Sequence, residues 1–204
     1  MGHEVPKQFL PLQDKAILLH TLERFAQAIP DIKFVLVLPE DQLDLWNDIA
    51  RPTKFTDISI ALGGAERTDS VISGLSLVRE GTLVGIHDAV RPLVSIETIK
   101  NCFKSAEENG NAIPVIPLTN SLRKIDGDQS KAVDRANYVS VQTPQCFRSE
   151  LIKRAYQGIS GVFTDDASVL ESLGEKIKLV EGNQENIKIT TPLDLKLAEQ
   201  LLAQ

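Results

Sequence analysis

Short apolar runs alternate with stretches of helical periodicity along most of the chain. The runs rich in β-branched residues, which are typical of strands buried on both faces, are Lys33–Leu38, Ile58–Leu62, Leu83–His87 and Ala112–Pro117. The segments whose apolar residues recur at helical spacing are Ala16–Ile29, Glu40–Ile49, Thr68–Val78 and Ser95–Asn109. Repeated β-α-β units predict an α/β protein with a mostly parallel twisted sheet and helices on both faces.

This alternation is interrupted between Thr119 and Phe147. Ser121–Ile125 and Tyr138–Thr143 have the composition of strands, and a polar stretch with Gly127 as the turn candidate separates them. The pattern predicts that residues 119–147 leave the main sheet as an antiparallel, protruding β-arm. A length of 204 residues suits one domain with an appendage, so residues 1–204 are predicted to form one domain that carries this arm.

Helical and strand signals resume after the arm. The predicted helices are Arg148–Gln157, Asp166–Leu173 with Thr164 as its N-cap, and Leu193–Ala203. The predicted strands are Lys176–Glu181 and Ile187–Thr190. Pro192 stands where proline is tolerated, in the first turn of the final helix.

Composition and charge disfavour several classes of function. The 204 residues carry a formal net charge of −6, which argues against wrapping a nucleic-acid backbone but leaves room for local cations that bind small phosphates. No apolar run approaches the ~20 residues of a membrane-spanning helix. Cys102 and Cys146 form no CxxC, which favours a reducing, cytoplasmic location and a packing role for both cysteines.

A glycine pair follows one predicted strand and precedes a predicted helix. The segment Gly63–Ser70 reads Gly-Gly-Ala-Glu-Arg-Thr-Asp-Ser. In an open α/β sheet, ligands bind beyond the carboxyl ends of the strands. Glycines let backbone amides approach a ligand there, and the helix N-terminus adds partial positive charge. The alternative is a tight turn followed by an Asp or Ser cap.

A carboxylate and a guanidinium follow the next strand, in the segment His87–Pro92. A carboxylate at the end of a buried strand is costly unless it is paired or bound to a cation. Asp88 is therefore a candidate Mg²⁺ ligand, and Arg91 offers a planar fork for phosphate or carboxylate. The alternative is an Asp88–Arg91 ion pair within the loop. His87 has no partner at metal-ligand spacing, which favours a structural role.

Two lysines complete the candidate chemistry: Lys7 in Pro-Lys-Gln-Phe, and Lys188 in Glu-Asn-Ile-Lys. Each, taken alone, is typical of a solvated surface residue. The sequence has no nucleophile elbow, P-loop or zinc spacing. Scattered cations with one strand-end aspartate suit phosphoryl or nucleotidyl transfer, in which positioning and charge neutralisation dominate.

Together these segments form an ordered series that runs through the whole chain. In order they are Met1-Gly2, Pro6–Phe9, Gly63-Gly64 with Arg67 and Asp69–Val71, His87–Pro92, Asp134-Arg135, Gln142–Gln145, Thr164–Ser168, Glu181–Asn183 and Asn186–Lys188. The series resembles the 2-C-methyl-D-erythritol 4-phosphate cytidylyltransferases, the cytidyl-transfer enzymes of the non-mevalonate isoprenoid pathway. The resemblance implies a Rossmann-like nucleotidyltransferase fold and a reaction of CTP with methylerythritol phosphate that releases pyrophosphate.

The resemblance also implies a role for each candidate residue. The catalytic lysines would be Lys7 and Lys188, which flank the α-phosphate of CTP and stabilise the pentavalent transition state. The nucleotide site would comprise Gly63, Gly64, Ser70, Asp88 and Ala89, with Mg²⁺ or another divalent cation at Asp88. The methylerythritol phosphate site would comprise Arg91, Ser121, Arg135 and Thr143. In this family the β-arm embraces a second subunit, so a homodimer is expected in which Ser121 and Arg135 serve the partner's site.

Two departures from the family pattern stand out. The arm has Asn120-Ser121-Leu122-Arg123 where Asp-Thr-x-Lys is usual, so it keeps a hydroxyl and a cation but loses a carboxylate. Members of the family also have a strand and a glycine-rich loop ahead of the Met-Gly that opens this sequence. We expect a chain that begins at Met1 to lack the central strand and the triphosphate loop, and with them full activity.

Two alternatives to this function remain open from the sequence. One is a sister enzyme that transfers CMP to a pentitol phosphate such as ribitol 5-phosphate, although the arm and its Gln142–Gln145 end favour the methylerythritol enzyme. The other is a catalytically silent nucleotide-binding relative, which the retained lysines, arginines and Asp88 disfavour.

Overall fold

A computed structural model describes residues 5–158 and 163–203, and the Met1-Gly2 pair lies outside them. Helices α1–α7 are Ile17–Ala28, Leu43–Ala50, Arg67–Ser76, Ile96–Asn109, Ser149–Gln157, Asp166–Glu171 and Pro192–Leu202. Strands β1–β11 are Pro11–Leu12, Lys15–Ala16, Val35–Leu38, Ser59–Leu62, Leu83–Ile86, Asn111–Pro117, Leu122–Asp126, Gln129–Val133, Val139–Val141, Gln145–Arg148 and Leu179–Glu181. Short 3₁₀ turns lie at Lys7–Phe9, Glu40–Gln42 and Arg135–Asn137.

The main sheet has five strands, in the order β11-β6-β10-β5, with β9 also paired to β6. Strands β5, β6 and β11 run in one direction, while β10 lies between β5 and β6 and runs against both. The sequence placed Gln145–Phe147 in the arm, so the parallel character of the sheet was overestimated. These residues are buried and apolar enough to fill an interior position, and their backbone pairs with both neighbours.

Strands β3 and β4 form a separate parallel pair, in register from Val35–Ser59 to Leu38–Leu62. Within residues 5–158 and 163–203, β3 pairs with no strand besides β4, and β5 with none besides β10. Helix α3 packs on both β3 and β4. The strand and loop expected ahead of Met1 stay a prediction.

The protruding part of the predicted arm is the β7–β8 hairpin, in register from Leu122–Val133 to Asp126–Gln129. Gly127 occupies its turn with φ at +57°, a conformation that favours glycine. The prediction that Tyr138–Thr143 is the second arm strand was wrong. That segment supplies β9, which pairs antiparallel with β6 because the hairpin closes locally on Gln129–Val133.

Two local predictions near the C-terminus were also wrong. Helix α6 is capped by Asp165, not Thr164, since the Asp165 side chain accepts the Ser168 amide. Residues 187–190 are not a strand, because among the described residues they make one backbone bond to another segment, from Ile189 N–H to the Val90 carbonyl, and not a ladder. Helix α7 begins at Pro192 as expected, with a Thr191–Asp194 capping box.

Helix α1 connects the two parts of the core. Leu18, Leu19 and Leu22 join the cluster that covers the β3–β4 pair. On another side of the helix, Phe25 and Ala28 pack against the start of α4. None of the helices in the described part of the chain is long and apolar enough to cross a membrane.

Candidate active site

The predicted site residues begin where β5 ends. Asp88 follows β5 directly, and its loop is fastened to α1 by two contacts. The Thr21 hydroxyl donates to the Ala89 carbonyl at 2.9 Å, and the Phe25 ring meets the His87 ring edge-on with centroids 4.7 Å apart. The loop that carries the candidate Mg²⁺ ligand is therefore held by a rigid helix.

Asp88 lies between two cations. Arg91 Nε donates to its Oδ2 at 2.9 Å, and Lys188 Nζ donates to its Oδ1 at 3.1 Å. Burial alone would raise the pKa of Asp88, but the hydrogen bond from Arg91 and the charge of Lys188 outweigh it and lower the pKa below its ordinary value. The Asp88–Arg91 ion pair considered from the sequence is thus present, and it includes Lys188 as a second partner.

His87 supports this loop from inside the core. Its Nε2 lies 3.3 Å from the Arg91 carbonyl and its Nδ1 lies 2.9 Å from Thr143 Oγ1. A carbonyl only accepts, so Nε2 carries the proton and Nδ1 accepts from Thr143. Burial lowers the pKa of His87 to about 4, which keeps the ring neutral at neutral pH. These contacts indicate a structural role for His87.

Thr143 lies in the same network rather than on an open surface. Its buried hydroxyl accepts the Asp88 amide at 3.2 Å while it donates to His87. The sequence resemblance assigned Thr143 to the acceptor pocket. The structure places it beside Asp88, where its side chain fixes the loop.

Asn186 is a site residue for which the sequence suggested no role of its own. Its carbonyl accepts Arg91 Nη1 at 2.8 Å, and its side-chain amide donates to the Thr143 carbonyl at 2.9 Å. The side chain is fully buried, and its Oδ1 has no hydrogen-bond partner among the described residues. The sequence feature that could have indicated it is the position of Asn186 two residues before Lys188, where polar and apolar residues alternate.

The two candidate lysines stand in different surroundings. Lys188 keeps 44% of its side chain exposed while paired to Asp88. Lys7 is exposed on its 3₁₀ turn, and its side chain has no hydrogen bond or ion pair within residues 5–158 and 163–203. Phe9, on the same turn, is buried in the cluster against which Ala89 packs. That cluster therefore supports both the turn of Lys7 and the loop of Asp88.

The glycine pair forms a second group, at the end of β4. Gly63 donates to the Leu38 carbonyl at 2.9 Å, and Gly64 donates to Ser70 Oγ at 3.1 Å. A Cβ at Gly64 would lie 2.2 Å from Asp69 Cβ, so no side chain fits there. The cap of α3 is Glu66, in a capping box with Asp69, and not the Asp or Ser considered from the sequence.

The remaining candidates, Ser121 and Arg135, lie at the base of the hairpin. Both are exposed, and Arg135 Nη1 donates to the Thr119 carbonyl. No hydrogen bond in the described ranges joins either residue to Asp88, Arg91 or Lys188. The predicted residues therefore lie at three places in the fold: the loop after β5, the glycine pair after β4, and the base of the hairpin.

The donor set at Asp88 fits a cation that takes most of its ligands from elsewhere. No group of three or more His, Cys, Asp or Glu side chains in the described parts of the chain could hold a metal ion. Mg²⁺ is commonly held by one or two carboxylates together with substrate phosphates and waters. Asp88 could supply such a carboxylate, since 23% of its side chain is exposed.

Comparison with known proteins gives one consistent result. The family profile described as 2-C-methyl-D-erythritol 4-phosphate cytidylyltransferase matches residues 1–204. The enzyme of that name from Bacteroides thetaiotaomicron is 46% identical over 204 residues, with 99% of this chain and 93% of the relative covered. The Porphyromonas gingivalis enzyme is 50% identical over 205 residues, with 99% and 91% covered. The crystal structure of the Thermus thermophilus enzyme superposes with a TM-score of 0.79 at 32% identity, covering 98% of this chain and 95% of that one.

Proposed function

The chain belongs to the 2-C-methyl-D-erythritol 4-phosphate cytidylyltransferase family, and we propose that it transfers CMP from CTP to 2-C-methyl-D-erythritol 4-phosphate in isoprenoid precursor biosynthesis. The family match over all 204 residues confirms the resemblance drawn from the sequence, and the superposition with a solved member confirms the nucleotidyltransferase fold. In the proposed reaction a phosphate oxygen of the acceptor attacks the α-phosphorus of CTP. The bond from that phosphorus to the oxygen bridging to the β-phosphate breaks, and pyrophosphate leaves.

The observation that carries the proposal is the Lys188–Asp88–Arg91 group at the end of β5. Two cations are held at a fixed carboxylate, where a phosphate-bearing ligand can bind them. Asp88 keeps both in place before the ligand arrives. Cations held in place in this way stabilise the charge of the transition state, and they need not reorganise during the reaction.

We assign to Lys188 and Lys7 the stabilisation of the negative charge on the α-phosphate in the transition state. Lys188 is the more exposed partner of Asp88, so its ammonium can turn towards an α-phosphate at little cost. Lys7 contributes from the neighbouring 3₁₀ turn, supported by Phe9. Bound Mg²⁺ at Asp88 would neutralise phosphate charge as CTP binds.

The nucleotide would lie against the β4–α3 junction. The loop is already organised within the protein: Asp69 packs where a Gly64 Cβ would lie, and Ser70 Oγ accepts the Gly64 amide. Ala89 has only a methyl group, so the ribose can lie close to the loop that follows Asp88. These roles follow the family pattern residue by residue.

We further propose that the protein acts as a homodimer. No hydrogen bond in the described ranges joins Arg135 or Ser121 to the Asp88 group. Apolar side chains are exposed at Ile125 in the hairpin and at Tyr138, Val139 and Val141 in and just before β9. If a second copy of the chain covers this apolar surface, Arg135 of one protomer would lie beside Arg91 of the other. Both arginines could then bind the acceptor phosphate. The two buried, free cysteines are typical of a reducing compartment, which supports a cytoplasmic location.

The experiment is a pyrophosphate-release assay with CTP and Mg²⁺ and two acceptors in parallel. Methylerythritol phosphate should give the higher kcat/KM, and ribitol 5-phosphate should be turned over poorly or not at all. A preference for ribitol 5-phosphate would contradict the assigned acceptor. CTP binding without turnover of either acceptor would contradict the assigned reaction.

A further inference from the structure

A buried carboxylate outside the Asp88 group connects two helices. Asp166 has a side chain with 0% exposure at the start of α6. Its Oδ2 accepts Arg67 Nη2 at 2.5 Å, and its Oδ1 accepts the Tyr156 hydroxyl at 2.6 Å. Burial, then the adjacent carboxylate, raises the pKa of Tyr156 above its ordinary value, so the phenol stays a donor. Both oxygens of the carboxylate are therefore satisfied.

Arg67 links the Asp166 carboxylate to the loop that contains Gly63 and Gly64. It is the first residue of α3 and follows Gly63–Glu66 directly. The other side-chain bonds of the loop are local: Gly64 to Ser70, and Glu66 to Asp69. Among the described side-chain hydrogen bonds, the Arg67–Asp166 pair is the one that joins the loop and the first turn of α3 to another element.

The start of α6, which carries Asp166, is itself linked to the Asp88 group. Gln145 Nε2 donates to Asp165 at 3.0 Å, and Gln145 Oε1 accepts the Ala167 amide at 2.8 Å. Thr143, two residues before Gln145, accepts the Asp88 amide. A short chain of contacts thus runs from Asp88 through Gln145 to α6, and from Asp166 through Arg67 to the glycine loop.

We propose that Asp166 is a positioning residue for the nucleotide: through Arg67 it holds the Gly63–Glu66 loop at a fixed place relative to the Asp88 group. This inference rests on the proposed role of that loop in binding CTP. A buried ion pair is weak evidence for stability, because apolar replacements of similar volume are often neutral. Fixing the position of the loop is the role that the proposal gives to this pair.

The test compares two variants that act on the same carboxylate. Asp166→Asn removes the charge that holds Arg67 without leaving a buried charge unpaired. Tyr156→Phe removes the other hydrogen bond and leaves the Arg67 pair in place, so it is the matched control. Both should lower Tm. Hydrogen exchange at the Gly64–Arg67 amides should become faster in Asp166→Asn alone, and the dissociation constant for CTP should rise about tenfold in that variant alone.

Two further variants make the outcome decisive. If Asp166→Asn does not fold, the double variant Arg67→Met/Asp166→Asn, which buries no lone charge, replaces it. Ser70→Ala reports on the nucleotide loop independently. Weaker CTP binding in Ser70→Ala with no change in Asp166→Asn would overturn the inference and leave the proposed function intact. Unchanged CTP binding in both would contradict the role of the loop itself, and with it the inference. Equal effects of Asp166→Asn and Tyr156→Phe on CTP binding would reduce Asp166 to a structural role.

Discussion

Lys188 and Asp88 are 100 residues apart in the chain, yet Lys188 Nζ lies 3.1 Å from Asp88 Oδ1. The contact forms because residues 186–189 run beside the loop after β5, where Arg91 donates to the Asn186 carbonyl and Ile189 donates to Val90. The proposed catalytic cation is therefore positioned by the proposed metal ligand, and each can be tested through the other.

Lys188→Ala should lower kcat about 10²–10³-fold, because positioned charge at this site acts mainly on the transition state. Lys7→Ala should act in the same direction. Both lysines are exposed, and Asp88 keeps Arg91, so Tm should change little. Steady-state kinetics with Lys196→Ala, an exposed lysine on α7, as the control measures the effect. An unchanged kcat in either variant would remove that lysine from the mechanism.

Asp88→Asn should shift the Mg²⁺ concentration for half-maximal rate upwards by about tenfold, the equivalent of ~1.4 kcal/mol. The amide keeps the size of the side chain but loses the charge that attracts the cation. A metal titration of the rate measures this shift, and excess chelator should stop turnover in both proteins. Superimposable titration curves would show that Asp88 is not the metal ligand.

Arg135→Ala should raise the KM for methylerythritol phosphate about 10–100-fold and leave the KM for CTP nearly unchanged, because a hydrogen bond to a charged group contributes about 1.5–3 kcal/mol. Arg123→Ala is the matched control: Arg123 is an exposed arginine of the adjacent hairpin, and its guanidinium donates to Ser130 within that hairpin. The opposite pattern, with CTP affected and the acceptor not, would contradict the assigned pocket.

The stability of the protein should fall between pH 7 and pH 5 through His87. The folded pKa is about 4 and the unfolded value 6.5, so in this window the unfolded chain binds more protons and stability rises with pH. His87 should contribute about 2 kcal/mol of loss at pH 5. Urea unfolding of the wild type and of His87→Gln at both pH values measures the contribution of His87. The comparison separates it from that of His20, because burial also lowers the pKa of His20. A pH dependence equal in the two proteins would mean that folding leaves the pKa of His87 at its unfolded value.

The positions of most helices and strands could be predicted because periodicity is a local property. The predicted Ser95–Asn109 helix, for example, is observed as Ile96–Asn109 with Ser95 as its cap. Strand β10 was misassigned because its two partners, β5 and β6, are distant in sequence. The composition of Gln145–Arg148 does not reveal which sheet it joins.

The site was predictable as a set of residues but not as a geometry. Motif order brought out Asp88, Arg91 and Lys188, and the structure joins them in one ion-pair group. The buried contacts that hold them involve side chains without distinctive chemistry. Thr21 and Asn186 belong to this class, since a hydroxyl or amide acquires such a role only through long-range packing.

The most direct test of the account follows the label from two forms of CTP. With methylerythritol phosphate and Mg²⁺, CTP labelled at the α-phosphate should place its label in the cytidylyl product, and CTP labelled at the γ-phosphate should release its label as pyrophosphate. Label from the γ-phosphate in the acceptor, or no product from either form, would contradict a cytidylyl transfer at the Asp88–Lys188 site.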